Sequence, residues 1–203
     1  MSRSVFRLGI TGGIGSGKTS VCKVFEVLGI PVFLADLEAR KIMDNNTEII
    51  RQINSVAGTD LYTGGNLDRQ RLASLIFNDK LLLEKINSII HPVVFANFAG
   101  WTANQQTPYV IMEAAILFES GGYKLVDRVA TVIAPLEERI ERIVQRNGLT
   151  HDQIMERVRN QMDDDSKISL SAYVIRNSEN DMIIPAILEI HQDILNLINK
   201  REA

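Results

Sequence analysis

The sequence predicts an α/β fold in which a mostly parallel five-stranded sheet lies between layers of helices, and three observations carry that prediction. Residues 5–11 are short and apolar, the pattern of a buried strand. They run directly into Gly12-Gly13-Ile14-Gly15-Ser16-Gly17-Lys18-Thr19, which fits the phosphate-loop pattern G-x-x-x-x-G-K-[ST] at every fixed position. Behind the loop, Val21, Val24, Phe25 and Leu28 recur at i, i+3, i+4 and i+7, one apolar face of a helix. Strand, glycine turn and helix start are the three parts such a loop needs. Together they make the fold a P-loop NTPase-type three-layer sandwich.

The residue types explain the chemistry. Gly12, Gly13, Gly15 and Gly17 carry no side chain, so successive backbone N–H groups can curl around an anion. The helix that opens after the loop brings its positive dipole end to the same place. Lys18 supplies a full charge toward the β- and γ-phosphates of a nucleotide, and the Thr19 hydroxyl can ligate Mg²⁺.

A chain of 203 residues suits one α/β domain with appended pieces. Hydrophobic residues at 45% and charged ones at 23% place it among ordinary globular proteins. The net charge of −3 argues against general nucleic-acid binding, which needs a basic surplus. A single cysteine, Cys22, excludes an intrachain disulfide and a multi-cysteine zinc site; it reads as a reduced packing residue. The start Met-Ser-Arg-Ser leaves no room for a signal peptide, and no apolar run reaches the length of a membrane span. The expectation is a cytoplasmic protein with no membrane, nucleic-acid or obligate protein partner.

In chain order, Gly29 ends the first helix and residues 31–34 form a second short strand. That strand delivers Asp36 to its carboxyl end, the edge where ligands sit in open α/β sheets. Asp36 can equally be the cap of a helix starting near residue 37. Residues 37–57 read as two helical pieces broken near Asp44-Asn45-Asn46. Residues 58–66, with Gly64-Gly65, read as a loop. Residues 67–101 are mostly helical, and Pro92 should kink or divide the second helix just after His91. This helical stretch between strands reads as an excursion that can cover an acceptor substrate.

Residues 109–112 form the third strand, ending at Glu113; that acid is either incidental or part of a second nucleotide-site motif. Residues 129–134 form the fourth strand, with Pro135 placed to start a helix. In that helix Arg139, Arg142 and Arg146 share a face. Glu138 can pair with Arg142, whereas Arg139 and Arg146 have no acid three or four residues upstream. The run suits an arginine-bearing lid over a triphosphate, the alternative being a solvated charged face. Residues 173–176 are a final strand, and 183–198 close the chain as an amphipathic helix. The three histidines show no metal-ligand spacing.

At this point the chain resembles the dephospho-coenzyme A kinase family. The opening Leu8-Gly9-Ile10-Thr11 with the phosphate loop matches that family's start. Leu28-Gly29-Ile30, Ala35-Asp36, Ala39-Arg40, Leu67-Asp68-Arg69, Leu72, Phe77 and His91-Pro92 come next in order. Leu117-Phe118-Glu119, Gln145-Arg146, Gln161 and Val174-Ile175 with Asn177 complete the series. The resemblance implies transfer of the ATP γ-phosphate to the ribose 3′-hydroxyl of dephospho-CoA, with Mg²⁺, as the last step of coenzyme A synthesis. It implies Asp36, Lys18 and Arg146 as catalytic groups. Nucleotide binding falls to Gly13, Gly15, Ser16, Gly17, Lys18, Thr19, Ser20, Arg142 and Asn177, the last where adenine is held. Acceptor binding falls to Thr11, Asp36, Arg69, His91, Leu117 and Glu119, and the metal to Thr19. The implied layout is a core of about 1–57, 104–138 and 168–203, a helical acceptor-binding subdomain of about 58–103 and a lid of about 139–167. Four positions depart from the family's pattern: Leu34 replaces a second acid, Ala115 a common proline, and Ser171-Ala172 an Ala-Asp pair.

The loop alone leaves rivals open. Another small-molecule kinase, acting on a nucleoside, nucleotide or shikimate-like alcohol, shares it. A GTPase switch shares it too, but would carry Asn-Lys-x-Asp after a strand; the near match Asn199-Lys200-Arg201-Glu202 falls at the end of the last helix.

Overall fold

The computed structural model describes residues 5–148 and 150–202; the start at residues 1–4 lies outside them. The strands are β1 (Phe6–Thr11), β2 (Val32–Leu34), β3 (Tyr62–Thr63), β4 (Asn66–Leu67), β5 (Tyr109–Glu113), β6 (Arg128–Ile133) and β7 (Tyr173–Arg176). The helices are α1 (Lys18–Val27), α2 (Ala35–Asn45), α3 (Thr47–Ala57), α4 (Arg69–Asn78) and α5 (Lys80–Ala103), then α6 (Leu136–Asn147), α7 (His151–Arg159), α8 (Asp164–Leu170) and α9 (Ile183–Glu202). They form two compact units, Met1–Leu34 with Thr102–Ala203, and Ala35–Trp101.

The first unit contains the sheet, in the order β2-β5-β1-β6-β7, every pairing parallel. Parallel strands are covered on both faces, which is why β1 and β5 are apolar almost throughout. Phe6, Leu8 and Ile10 of β1 share one core with Val21 and Phe25 of α1 and with Ile187 and Ile194 of α9. Each such fully buried side chain contributes about 1.5–3 kcal/mol. On the other face Gly9 must lack a side chain, since a Cβ there would come within 2.6 Å of Leu117 Cδ2. Because β1 is central and its neighbours run the same way, the carboxyl ends of β2, β5, β1 and β6 share one edge, and the phosphate loop leaves from it.

The second unit is mainly helical. Asn46 breaks α2 from α3 as expected and caps α3, its Oδ1 accepting from the N–H groups of Glu48 and Ile49 at 3.1 and 3.2 Å. Four expectations are corrected here. Asp36 is not a helix cap: α2 begins at Ala35, so Asp36 lies inside its first turn, where a negative charge favours the helix dipole. Residues 58–66 are not simply a loop: β3 and β4 pair antiparallel across Gly64-Gly65, whose φ values of +59° and +83° suit a tight primed hairpin turn.

The third correction concerns Pro92, which does not divide its helix; α5 runs unbroken through it. Leu82, Ile86, Ile90, Val94 and Phe98 form a buried stripe at four-residue spacing across the proline. That burial outweighs the roughly 3 kcal/mol that an interior proline costs. The fourth is the boundary, which lies at Ala35 rather than near 58. The Tyr62 hydroxyl donates to the Met43 carbonyl (2.8 Å) and Arg69 pairs with Asp44, so α2 is tied to β3 and to α4.

Candidate active site

The phosphate loop joins the end of β1 to Lys18, the first residue of α1. Gly15 and Gly17 have φ of +79° and +95°, a left-handed backbone that a side chain would strain. At Gly17 a Cβ would also collide with the Asn177 side chain. The Ser16 N–H closes a turn onto the Gly13 carbonyl (3.2 Å). Among the described residues no protein acceptor takes the N–H groups of Gly15, Gly17 and Thr19, and α1 has no acid in its first turn. The positive end of that helix is therefore uncompensated. Lys18 Nζ folds over the loop, donating to the Gly12 and Gly13 carbonyls at 2.9 and 3.4 Å. Ser16 Oγ is fully buried with no hydrogen-bond partner among the described residues. Open amides, an orphaned hydroxyl and a tethered ammonium fit a polyanion. Thr19 and Ser20 are exposed in the same helical turn.

Asn177 comes directly after β7, the strand beside β6. Its backbone N–H donates to the Ile133 carbonyl and its side-chain amide to the Ser16 carbonyl, both at 2.8 Å. The sheet thus brings Asn177 onto the loop, 161 residues away in sequence from Ser16.

The three arginines of α6 have three fates. Arg142 pairs with Glu138 at 2.8 Å, the partner expected from spacing. Arg146 is exposed near the end of the helix. Arg139 does not belong to an open charged face: it is 5% exposed, its Nε donates to the Ile14 carbonyl and one terminal nitrogen to Asp164, both at 2.9 Å. From the segment between α7 and α8, Gln161 Oε1 accepts the Ile14 N–H at 2.9 Å. The sequence placed Arg139 in an arginine-bearing lid over the triphosphate rather than on the loop backbone, and gave Gln161 a place in the family's series but no role. The one signal for Arg139, shared with Arg146, was the lack of an acid three or four residues upstream on its own helix.

Of the expected acceptor residues in this unit, Thr11 is buried and its hydroxyl donates to the Ala115 carbonyl (3.4 Å). Leu117 is wholly buried against Gly9 and Gly122, a core position rather than a presented one. Glu119 Oε1 accepts the Met162 N–H at 2.8 Å and stands 3.7 Å from Nζ of Lys167, which is fully buried. Burial pushes the Lys167 ammonium below its ordinary pKa, with the Glu119 and Asp164 carboxylates opposing. Glu113 is half-buried at the end of β5, in register with Ile10 of β1. The buried Cys22 thiol is pushed well up by desolvation, and further by Glu113 and Glu26, against an opposing effect of Lys18. It is a packing residue, not a nucleophile.

In the second unit Asp36 is exposed, two residues past the end of β2. Its carboxylate opposes the burial that lowers the pKa of His91, so these two groups are electrostatic neighbours. His91 stacks on Phe95 at 5.9 Å. One terminal nitrogen of Arg69 lies 2.8 and 2.7 Å from the two Asp44 oxygens.

The family model for dephospho-CoA kinase matches residues 6–182. The chain belongs to the dephospho-CoA kinase family. It is thus an ATP-dependent kinase of the P-loop fold, and the family's reaction is the final step of coenzyme A synthesis. A dephospho-CoA kinase from Bacteroides fragilis (strain YCH46) is 40% identical over 185 residues, covering 91% of this chain and 90% of its own. The one from Porphyromonas gingivalis is 36% identical over 92% of this chain and 93% of its own. A crystal structure of a Thermus thermophilus protein shares the fold at TM-score 0.82, with 29% identity, 96% of this chain and 98% of that one covered. A dephospho-CoA kinase from Campylobacter jejuni shares it at TM-score 0.67 and 24% identity, over 93% of this chain and 96% of that one.

The guanine-reading alternative has no support. Arg201 of the near match pairs with Asp127 (3.0 Å) and lies over the ring of Phe6 at the start of β1. The length of that strand puts it on the order of 16 Å from the loop.

Proposed function

We propose that this kinase transfers the γ-phosphoryl group of ATP to the ribose 3′-hydroxyl of dephospho-CoA, with the phosphate loop holding the triphosphate and Asp36 taking the proton of the attacking hydroxyl. The observation that carries the reading is the loop itself, with its open amides, orphaned Ser16 hydroxyl and folded-back Lys18. In phosphoryl transfer the protein's work is positioning and charge neutralisation. Lys18 and the amides of Gly15, Gly17 and Thr19 neutralise the β- and γ-oxygens. Gly13, Ser16 and Ser20 complete the cradle, and Arg142 and Asn177 serve the rest of the nucleotide.

Thr19 is the residue suited to Mg²⁺, which when bound would neutralise charge on the triphosphate. No group of three or more His, Cys, Asp or Glu among the described residues offers a protein cage instead. Arg146, exposed on α6, is the cation that closes over the migrating phosphoryl. Arg139 and Gln161 are both bonded to the loop, so the moving part of the lid lies between them, narrower than 139–167. Arg69 and His91, with the helices around them, serve the acceptor, and Asp36 directs its hydroxyl. No described helix is long and apolar enough to cross a membrane.

The test is ADP release across a panel of acceptors, with ATP and with GTP. Turnover confined to dephospho-CoA with ATP is the expected result. Preference for shikimate, gluconate or a nucleoside would overturn the acceptor assignment, and preference for GTP the nucleotide assignment.

A further inference from the structure

Among the described residues, Ile14 is the one loop residue held by side chains at both ends of its backbone. Its N–H donates to Gln161 Oε1 and its carbonyl accepts from Arg139 Nε, each at 2.9 Å. The two partners come from different elements, 125 and 147 residues away in sequence. Both are themselves anchored. Arg139 is pinned by Asp164 (2.9 Å) and is buried. The residue after Gln161 is fixed by its N–H donating to Glu119 Oε1 (2.8 Å), and Glu119 in turn faces the buried Lys167. The Arg139 guanidinium also fills the space that a side chain at Gly13 would need.

We propose that Arg139 and Gln161 are positioning residues that clamp the two peptide groups flanking the Ile14 Cα and so fix the phosphate loop in its anion-accepting shape before nucleotide arrives. A glycine-rich loop has more backbone freedom to lose than any other segment. If it is ordered in advance, binding no longer bears that cost. The clamp also withdraws the Ile14 N–H from the set that can face phosphate, leaving the anion to the amides from Gly15 onward. Neither clamp residue needs to touch ATP, and Glu119 acts here as an anchor for the clamp. The proposal rests on the reading of the loop as the triphosphate site.

The test uses the full chain and ADP as probe. Gln161→Met keeps the side chain's length but removes the acceptor. It should speed hydrogen exchange of the loop amides in the nucleotide-free enzyme and weaken ADP binding about fivefold, the effect of one hydrogen bond. The KM for dephospho-CoA should stay as it was, because the acceptor does not use the loop. Gln161→Glu retains an acceptor oxygen and should restore slow exchange. Arg139→Lys keeps a cation beside Asp164 but not the Nε donor, and should act less than additively with Gln161→Met, since both work through one residue. Unchanged loop exchange or unchanged ADP affinity in Gln161→Met would overturn the clamp alone. So would equal losses for both substrates together with a lowered melting temperature, which would mean mere destabilisation. Failure of the unaltered enzyme to bind ADP would overturn the reading of the loop, and the clamp with it.

Discussion

The two compact units hold their polar groups in different ways. In the sheet unit the nucleotide machinery is fastened from behind: Ile14 by Arg139 and Gln161, Ser16 by Asn177, Met162 by Glu119. In the helical unit two of the groups assigned to the acceptor, Asp36 and Arg69, stand at the surface, while His91 is half-buried. Arg69 and Asp44 are each more than 40% exposed, and Asp36 is exposed outright. Charges held by buried partners act without reorganising at the moment of reaction, whereas an exposed ion pair is worth little and can exchange partners. A triphosphate is compact and highly charged, and suits a fixed cradle. A longer acceptor suits groups that can swap one partner for another.

Substitutions can break that contrast. The largest effect belongs to the fixed side: Lys18→Ala should abolish turnover in a coupled ADP-release assay, because the loop loses the ammonium charge folded over it. Retained activity would contradict the loop's role. Next is Arg146→Ala, expected to lower kcat by about 10²–10³-fold while ATP affinity changes less, as for loss of one transition-state donor. A pure KM effect would make Arg146 a binding group.

Arg69→Ala, on the adjustable side, should raise the KM for dephospho-CoA by less than about tenfold, with little change in melting temperature. Loss of an exposed pair costs about 0–1 kcal/mol. A large drop in stability would show that the Asp44 pair is structural. The smallest effect is that of His91, whose pKa burial lowers. A folded-state pKa below the unfolded value favours the neutral ring. Its contribution to stability is therefore present above the ordinary imidazole range and lost as pH falls from about 6.5 toward the folded value. The melting temperature of His91→Gln should depend less on pH between 7 and 5 than that of the unaltered enzyme. An identical pH dependence would remove His91 from that account.

What sequence could show divides along the same line. The phosphate loop, the five strands and the Asn46 break are local signals, each readable within a dozen residues. Glu138 with Arg142 is readable too, because helix geometry fixes that pair. The clamp on Ile14 was not readable. It joins residues 125 and 147 positions apart, and only the β1-β6-β7 order brings their elements together. Division of the helix at Pro92 did not follow because the proline's cost is local and visible, whereas the buried stripe that offsets it depends on packing. The packing of Leu117 was equally unreadable: its side chain fills the gap over Gly9, a contact between residues far apart in sequence.

The central claim, that a fixed cradle holds the triphosphate while a separate carboxylate takes the acceptor's proton, is tested most directly by Asp36→Asn, with kcat and ATP affinity measured on the same preparation. Turnover should fall by about 10²–10⁴-fold with ATP binding nearly unchanged. Normal turnover, or a loss that appears only as weaker ATP binding, would contradict it.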